Sequence, residues 1–261
     1  MSLACLDGVV LDAVDATIPV GDEGLLRGDG VFEVVRVYAG RPFALDEHLA
    51  RMQRSADGLR LPIDVDAVRA DVAALLEAAD DHDGCVRVLA TRGGRRVALL
   101  EHIAFLPPTV AVAAVTYAPT RLLDAIKSLS YAGNMLATRL AKEQGADEAI
   151  LVTPHGRVLE APTRSVFYVR DGALFTPPLS DHILDSITRR HIMEVADVQE
   201  RATTLDELVA ADEAFLASTT QEVVPIHRVQ DRELPAAPGA VTSAVAQTLR
   251  EHIVAALATT A

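Results

Sequence analysis

The chain is poor in lysine. Lys127 and Lys142 are the two lysines among 24 basic residues in a sequence of 261, so chemistry that needs a primary amine has two side chains to choose from. Cysteine is equally scarce. Cys5 and Cys85 lie far apart and form no Cys-x-x-Cys pair, which argues against a disulfide framework or a thiolate zinc site. Positive charge is in deficit, with a formal net charge of -13. Nucleic acid and anionic membrane both require a basic surface, so neither is expected as a partner. An anionic small molecule stays compatible, because a pocket can be locally positive inside an acidic protein. The eight histidines are scattered, without His-Glu-x-x-His or a closely spaced pair, and no metal is expected. No apolar run approaches the roughly 18 residues of a membrane span, and the start lacks a basic region leading into an apolar core. The expected location is cytoplasmic.

What is present reads as an ordinary soluble protein, half apolar, with length enough for one large domain or two small ones. Val31 to Tyr38 is a strand of β-branched and aromatic residues carrying Glu33 and Arg36, closed by a turn at Ala39-Gly40. Asp46 is placed to cap a helix with the stripe Leu49, Met52, Ala56 and Leu59. Asp64 or Asp66 opens another with Val68, Val72, Leu75 and Leu76. Val86 to Thr91 is strand-like and stops at Gly93-Gly94. Phe105 to Pro119, with Pro107-Pro108, reads as the crossing between a smaller N-terminal α+β domain (1–115) and a larger C-terminal domain (120–261). Beyond it come a helix from Gly133 to Gln144 capped at Gly145, and two hairpins turning at Pro154-His155-Gly156 and Asp171-Gly172. A helix follows from Ser186 to Val195, then a capping box at Thr204-x-x-Glu207, a strand at Ala214 to Ala217, and a closing helix from Ala240 to the end. Strands and helices mix without regular βαβ alternation, which predicts an α+β fold.

The two lysines differ in setting. Lys142 sits in the last turn of a helix, where a solvated cation suits the dipole. Lys127 sits in the apolar, strand-like Ala125-Ile126-Lys127-Ser128-Leu129, where a charged amine is costly unless employed. Desolvation lowers an amine's pKa and makes it nucleophilic, as a Schiff-base lysine requires. Phosphate-binding features stand elsewhere. Asp185-Ser186-Ile187-Thr188 opens a helix with unpaired amides, Ser218-Thr219-Thr220 ends a strand with hydroxyls, and Arg51 supplies a guanidinium. Each alone is an ordinary cap or surface feature. Glu160, after Val158-Leu159, is either a solvated turn residue or the acid partner of a pyridine nitrogen. Gly28-x-Gly30 lacks the third glycine of a dinucleotide fingerprint and precedes a strand, so it reads as a tight turn.

Taken in order, these pieces resemble one family. Gly28-Asp29-Gly30-Val31-Phe32-Glu33, Glu47-His48-Leu49-Ala50-Arg51-Met52 and Lys127-Ser128-Leu129-Ser130-Tyr131 are similar to the pattern of fold-type IV pyridoxal-phosphate enzymes, the class IV aminotransferases. Gly145-Ala146-Asp147-Glu148-Ala149, Gly156-Arg157-Val158-Leu159-Glu160, Ile187-Thr188-Arg189 and Ser218-Thr219-Thr220-Gln221-Glu222-Val223 continue it over nearly the whole chain. The resemblance implies a two-domain fold with the cofactor, pyridoxal 5′-phosphate, at the domain interface. It implies that Lys127 carries the cofactor, Glu160 pairs with its pyridine nitrogen, and Tyr131 lies near its hydroxyl. It assigns the phosphate to Arg51, to Ser186, Ile187 and Thr188, and to Ser218, Thr219 and Thr220. Two positions depart from the family, Ser165 in place of asparagine and Ser186 in place of glycine.

The activity so implied is transamination between an amino acid or amine and a 2-oxo acid, in a homodimer. Phe32, Arg36, Arg92 and Thr220 are the candidate substrate residues. Within the same family the rival is aminodeoxychorismate lyase; Phe32-Glu33-Val34-Val35-Arg36 looks more like the transaminases. A protein that binds pyridoxal phosphate without turnover is the rival of another class, opposed by the joint presence of Lys127, Glu160 and Thr219. Branched-chain L-amino acids, D-amino acids and chiral amines are all substrates of this scaffold, and pocket loops choose among them.

Overall fold

The computed structural model describes residues 2–103, 107–118 and 121–259, with backbone alone at Arg121. Phe105 and Pro119 of the expected crossing, the expected domain start at 120, and the last two residues of the closing helix lie outside them. The chain forms two compact units, Met1–Ala104 with Ala125–Tyr131, and Phe105–Asp124 with Ala132–Ala261. Lys127 thus belongs to the first.

In the first unit, β1 (Leu3–Leu6), β2 (Val9–Asp12), β3 (Gly30–Tyr38), β4 (Arg41–Pro42), β5 (Gly84–Thr91) and β6 (Arg96–Glu101) make an antiparallel sheet in the order β2-β1-β6-β5-β3-β4. Helices α1 (Glu23–Arg27), α2 (Leu45–Leu59) and α3 (Val65–Glu77) complete it. Alternation along β3 sends Val31, Glu33, Val35 and Val37 to one face, all fully buried. That face packs against the α2 stripe of Leu49, Met52 and Ala56 and against Val68, Val72 and Leu75 of α3. The opposite face carries Phe32, Val34 and Arg36, in register with Leu89, Arg87 and Cys85 of β5.

Helix α2 begins differently from expectation. Ala44, in the left-handed region at φ 54°, brings the chain in, so the helix starts at Leu45 and no side chain caps it. Asp46 therefore lies inside the first turn, where its charge suits the helix dipole, and pairs with Arg69 at 2.6 Å. Asp64 is the cap of α3 and accepts from the Ala67 amide.

The second unit holds β7 (Val110–Thr116), β8 (Glu148–Val152), β9 (Ser165–Arg170), β10 (Ala173–Thr176), β11 (Val198–Glu200), β12 (Glu213–Ser218), β13 (Glu222–Val229) and β14 (Arg232–Glu233). Their order is β11-β10-β9-β12-β13-β7-β8, with β14 paired to β13. Helices are α4 (Ala132–Glu143), α5 (Ile187–Val195), α6 (Leu205–Val209) and α7 (Ala240–Thr259). The expected turn at Asp171-Gly172 joins β9 to β10 through two positive-φ residues. Around Gly156 the hairpin is looser, since Val158 only bridges to Val152 rather than forming a strand. Thr204 and Glu207 make the reciprocal capping box at the start of α6. Strands β7 and β8 run parallel and are covered on both faces, which explains the apolar runs Val110 to Val115 and Ala149 to Val152 within them. Buried Glu213 closes the start of α7 by accepting from the amides of Val241 and Thr242.

Candidate active site

In the first unit, chemistry gathers around Lys127. Its segment forms no full strand. Ser128 bridges to Val31, the Phe32 amide donates to the Lys127 carbonyl at 3.1 Å, and the Leu129 amide donates to Gly30 O at 2.9 Å. The Ser55 hydroxyl of α2 accepts from the Lys127 amide at 3.1 Å. These bonds tie the segment to β3 and α2, leaving the half-buried amine 4.3 Å from the centre of the Phe32 ring and 5.9 Å from that of Tyr131. The two rings meet edge to face at 5.2 Å. Lys142, by contrast, is exposed on the last turn of α4.

Gly28 and Gly30 place this segment. Gly28, at φ 68°, is the left-handed cap that ends α1. At Gly30 an added Cβ would lie 2.5 Å from Ala90 O and 2.6 Å from a Leu129 methyl. Only a bare backbone lets the lysine segment lie against β3 here.

On the helix-covered face of the same sheet, Glu33 is fully buried and held by Arg51 through two bonds of 2.7 Å and by His48 Nδ1 at 2.8 Å. Burial opposes ionisation of Glu33, but the charge and hydrogen bonds of Arg51, aided by His48, outweigh it and hold the carboxyl at about 2. For His48, burial lowers the pKa, and Arg51 and Lys127 add to that against the pull of Glu33. Sequence reading identified Arg51 but gave Glu33 and His48 no role. The available signal was a carboxylate in the inward register of a β-branched strand, together with a histidine and an arginine three apart on a helix. Arg87 was also passed over; it lies 5.8 Å from the Phe32 ring and is paired with Glu101 at 2.7 Å.

Arg36 and Arg92 are engaged locally. Arg36 binds Asp83 at 2.5 Å, donates to the carbonyls of Val37 and Gly84, and stacks on Tyr38. Arg92 binds Asp29 at 2.5 Å and the carbonyls of Leu59 and Arg60. Their donors pin loops and helix ends.

The second unit gathers the remaining candidates. Glu160 is half-buried and accepts from the Leu184 amide at 3.2 Å, two residues before Ser186. Ser186 caps α5 by accepting from the Arg189 amide. In a helix begun this way the amides of Ile187 and Thr188 have no carbonyl of their own helix to bond. Arg189, 2% exposed, anchors the helix through Pro177 O and Glu200. Helix α5 packs on β12, whose last residue, Ser218, leads into the Thr219-Thr220 turn. Ser218 Oγ and Ser165 Oγ are buried and have no hydrogen-bond partner among the described residues. Ser165 holds that state where the family pattern has the larger asparagine.

Among the described residues no helix is long and apolar enough to cross a membrane. Comparison with known proteins gives a consistent picture. The model of the amino-transferase class IV family matches residues 30–229. A putative branched-chain-amino-acid aminotransferase of Methanocaldococcus jannaschii is 35% identical over 252 residues, 87% of this chain and 88% of that protein. D-alanine aminotransferase of Bacillus licheniformis is 31% identical over 279 residues, 97% and 98% of the two chains. A hypothetical aminotransferase from Mycobacterium tuberculosis, solved in a PLP-bound form, superposes with a TM-score of 0.88 at 26% identity, covering 98% of this chain and 99% of that one.

Proposed function

The chain belongs to the class IV aminotransferases, and within that family we propose that Lys127 is the residue that carries the cofactor. The protein is a pyridoxal-phosphate-dependent aminotransferase that moves an amino group between an amino acid and a 2-oxo acid. One observation carries the assignment of Lys127: of the two lysines, it alone is half-buried, with its amine over an aromatic ring and its backbone tied to strand and helix.

The donor set suits the cofactor. The Ser218 hydroxyl, buried and without a hydrogen-bond partner among the described residues, the first amides of α5 and the Thr219-Thr220 turn are what a phosphate takes up. We assign the phosphate to Arg51, Ser186, Ile187, Thr188, Ser218, Thr219 and Thr220, and the pyridine nitrogen to Glu160, with Tyr131 beside the ring hydroxyl. When bound, the cofactor supplies a carbonyl that accepts the amino group and a ring that draws off electrons. Lys127 Nζ, set free as the substrate amine takes its place, would draw the proton from the substrate's α-carbon as general base and deliver it as general acid to the cofactor carbon that receives the amino group. Glu160 holds a proton on the ring nitrogen. We assign the substrate contacts to Phe32, Arg36, Arg92 and Thr220.

We infer two further properties, a homodimer and a cytoplasmic location. A second copy of this chain covers the exposed apolar residues Val14, Val20, Leu25 and Leu26, making a homodimer. Work in the cytoplasm agrees with two free, buried thiols, one of which, Cys85, burial pushes up to about 11.

The deciding experiment offers a panel of L- and D-amino acids and both enantiomers of 1-phenylethylamine, with pyruvate or 2-oxoglutarate as acceptor. A donor alone should bleach the visible cofactor band and release a stoichiometric 2-oxo acid or, from the amine, a ketone, and the acceptor should restore the band. Efficient 4-aminobenzoate formation without such a cycle would replace this reading with the lyase.

A further inference from the structure

Helices α5 and α7 pack together and bring together two histidines 61 residues apart in sequence. His191 Nδ1 and His252 Nε2 stand 3.0 Å apart. Glu194, three residues after His191 and so on the same face of α5, places a carboxylate oxygen 3.4 Å from His191 Nδ1. One ligand atom from each of the three lies within 4.8 Å of the others. We propose that His191, Glu194 and His252 form a binding site for a zinc-like transition-metal ion.

Three arguments carry this. The first is geometric. Ligands about 2.0–2.1 Å from a tetrahedral ion are separated by about 3.4 Å along each edge of the tetrahedron. The two measured separations from His191 already match that edge to within a few tenths of an ångström. The third ligand is the exposed Glu194 side chain, which can swing to close the rest.

The second argument is chemical. Two imidazole nitrogens and one carboxylate suit Zn2+ and its late first-row neighbours, whereas Ca2+ and Mg2+ take oxygen ligands. The two ring nitrogens face each other at 3.0 Å; an ion in that place would be ligated by both.

The third is the gradient of exposure. His191 is buried, His252 half-buried and Glu194 exposed, so the ion has an entry path and a fourth position open to water. Bound there, it would clamp the second half of α5 to α7. None of the three residues has a part in the transamination proposed above, so the site stands or falls separately.

The test uses tag-free protein stripped with a chelator and titrated with Zn2+ in a calorimeter. The expected result is one ion per chain, a rise in Tm, and visible absorption of four-coordinate intensity when Co2+ replaces Zn2+. His252→Ala should weaken binding at least about 100-fold, since loss even of a residue supporting a ligand costs about 10–100-fold. Glu194→Gln, at an exposed position, gives the same comparison should the histidine variant fail to fold. Absence of stoichiometric binding by the wild type, or equal binding by a folded variant, would overturn the site and leave a histidine–histidine hydrogen bond.

Discussion

Arg51 holds Glu33 through two parallel bonds of 2.7 Å, Nε to Oε1 and Nη2 to Oε2, with the carboxylate wholly out of water. The pair fixes the guanidinium proposed to meet the cofactor phosphate, and it makes both charges depend on each other. Removing one partner of a buried pair leaves the other uncompensated, at a cost of about 3–5 kcal/mol. Glu33→Gln should lose that much at neutral pH. The folded carboxyl titrates at about 2 against an ordinary 4.5. Its stabilisation is therefore complete above pH 4.5 and fades as pH falls toward 2. Urea midpoints for wild type and variant should accordingly converge on acidification. A gap that stayed constant down to pH 3 would mean that Glu33 is not held ionised.

His48 works in the same direction at a higher pH. Its pKa lies below the ordinary 6.5, chiefly through burial, so the folded state favours the neutral ring. Stability from this group is present above 6.5 and falls below it as the unfolded chain takes up the proton first. A His48→Asn variant that keeps the Glu33 contact should show a flatter Tm profile from pH 7 to 5. An unchanged slope would count against a neutral His48.

Lys127→Ala should lose turnover by at least roughly 10²–10⁴-fold, the span of a positioned acid–base group alone. It should also lose borohydride-stable attachment of the cofactor. Lys142→Ala should match wild type in both. Peptide mapping that found the label on Lys142 would reverse the assignment.

Gly30→Ala tests how the lysine segment is positioned. The new methyl would meet Ala90 O and Leu129 at 2.5–2.6 Å, an overpacking that costs about 1–3 kcal/mol. Because the displaced Leu129 is two residues from Lys127, kcat should fall along with stability. A stable, fully active variant would show that the close approach is unimportant.

Glu160→Gln and Thr219→Ala separate electronics from binding. The first should slow both half-reactions by about 10²-fold, roughly 3 kcal/mol of barrier. The second should weaken cofactor affinity by about 1 kcal/mol, with activity returning at high added pyridoxal phosphate. Stopped-flow and cofactor titration distinguish the two; a swap of these phenotypes would exchange their roles.

Local signals survived folding wherever the physics is local. The 3.6-residue stripe of α2, the capping box at Thr204 and Glu207 and the turn at Asp171-Gly172 are decided by neighbours a few positions away. Lysine scarcity and the ordered motif pattern singled out Lys127 and Glu160 without any coordinates. Tertiary structure decided what depends on distant partners. Strand register turned Glu33 inward to meet Arg51 and His48, while Arg92 was taken up by Asp29 and two carbonyls. The packing of α5 on α7 joined His191 to His252, a pair that sequence spacing had hidden. A helix face or a turn is set by its own residues, but an ion pair or a ligand cluster exists only once the chain has returned upon itself.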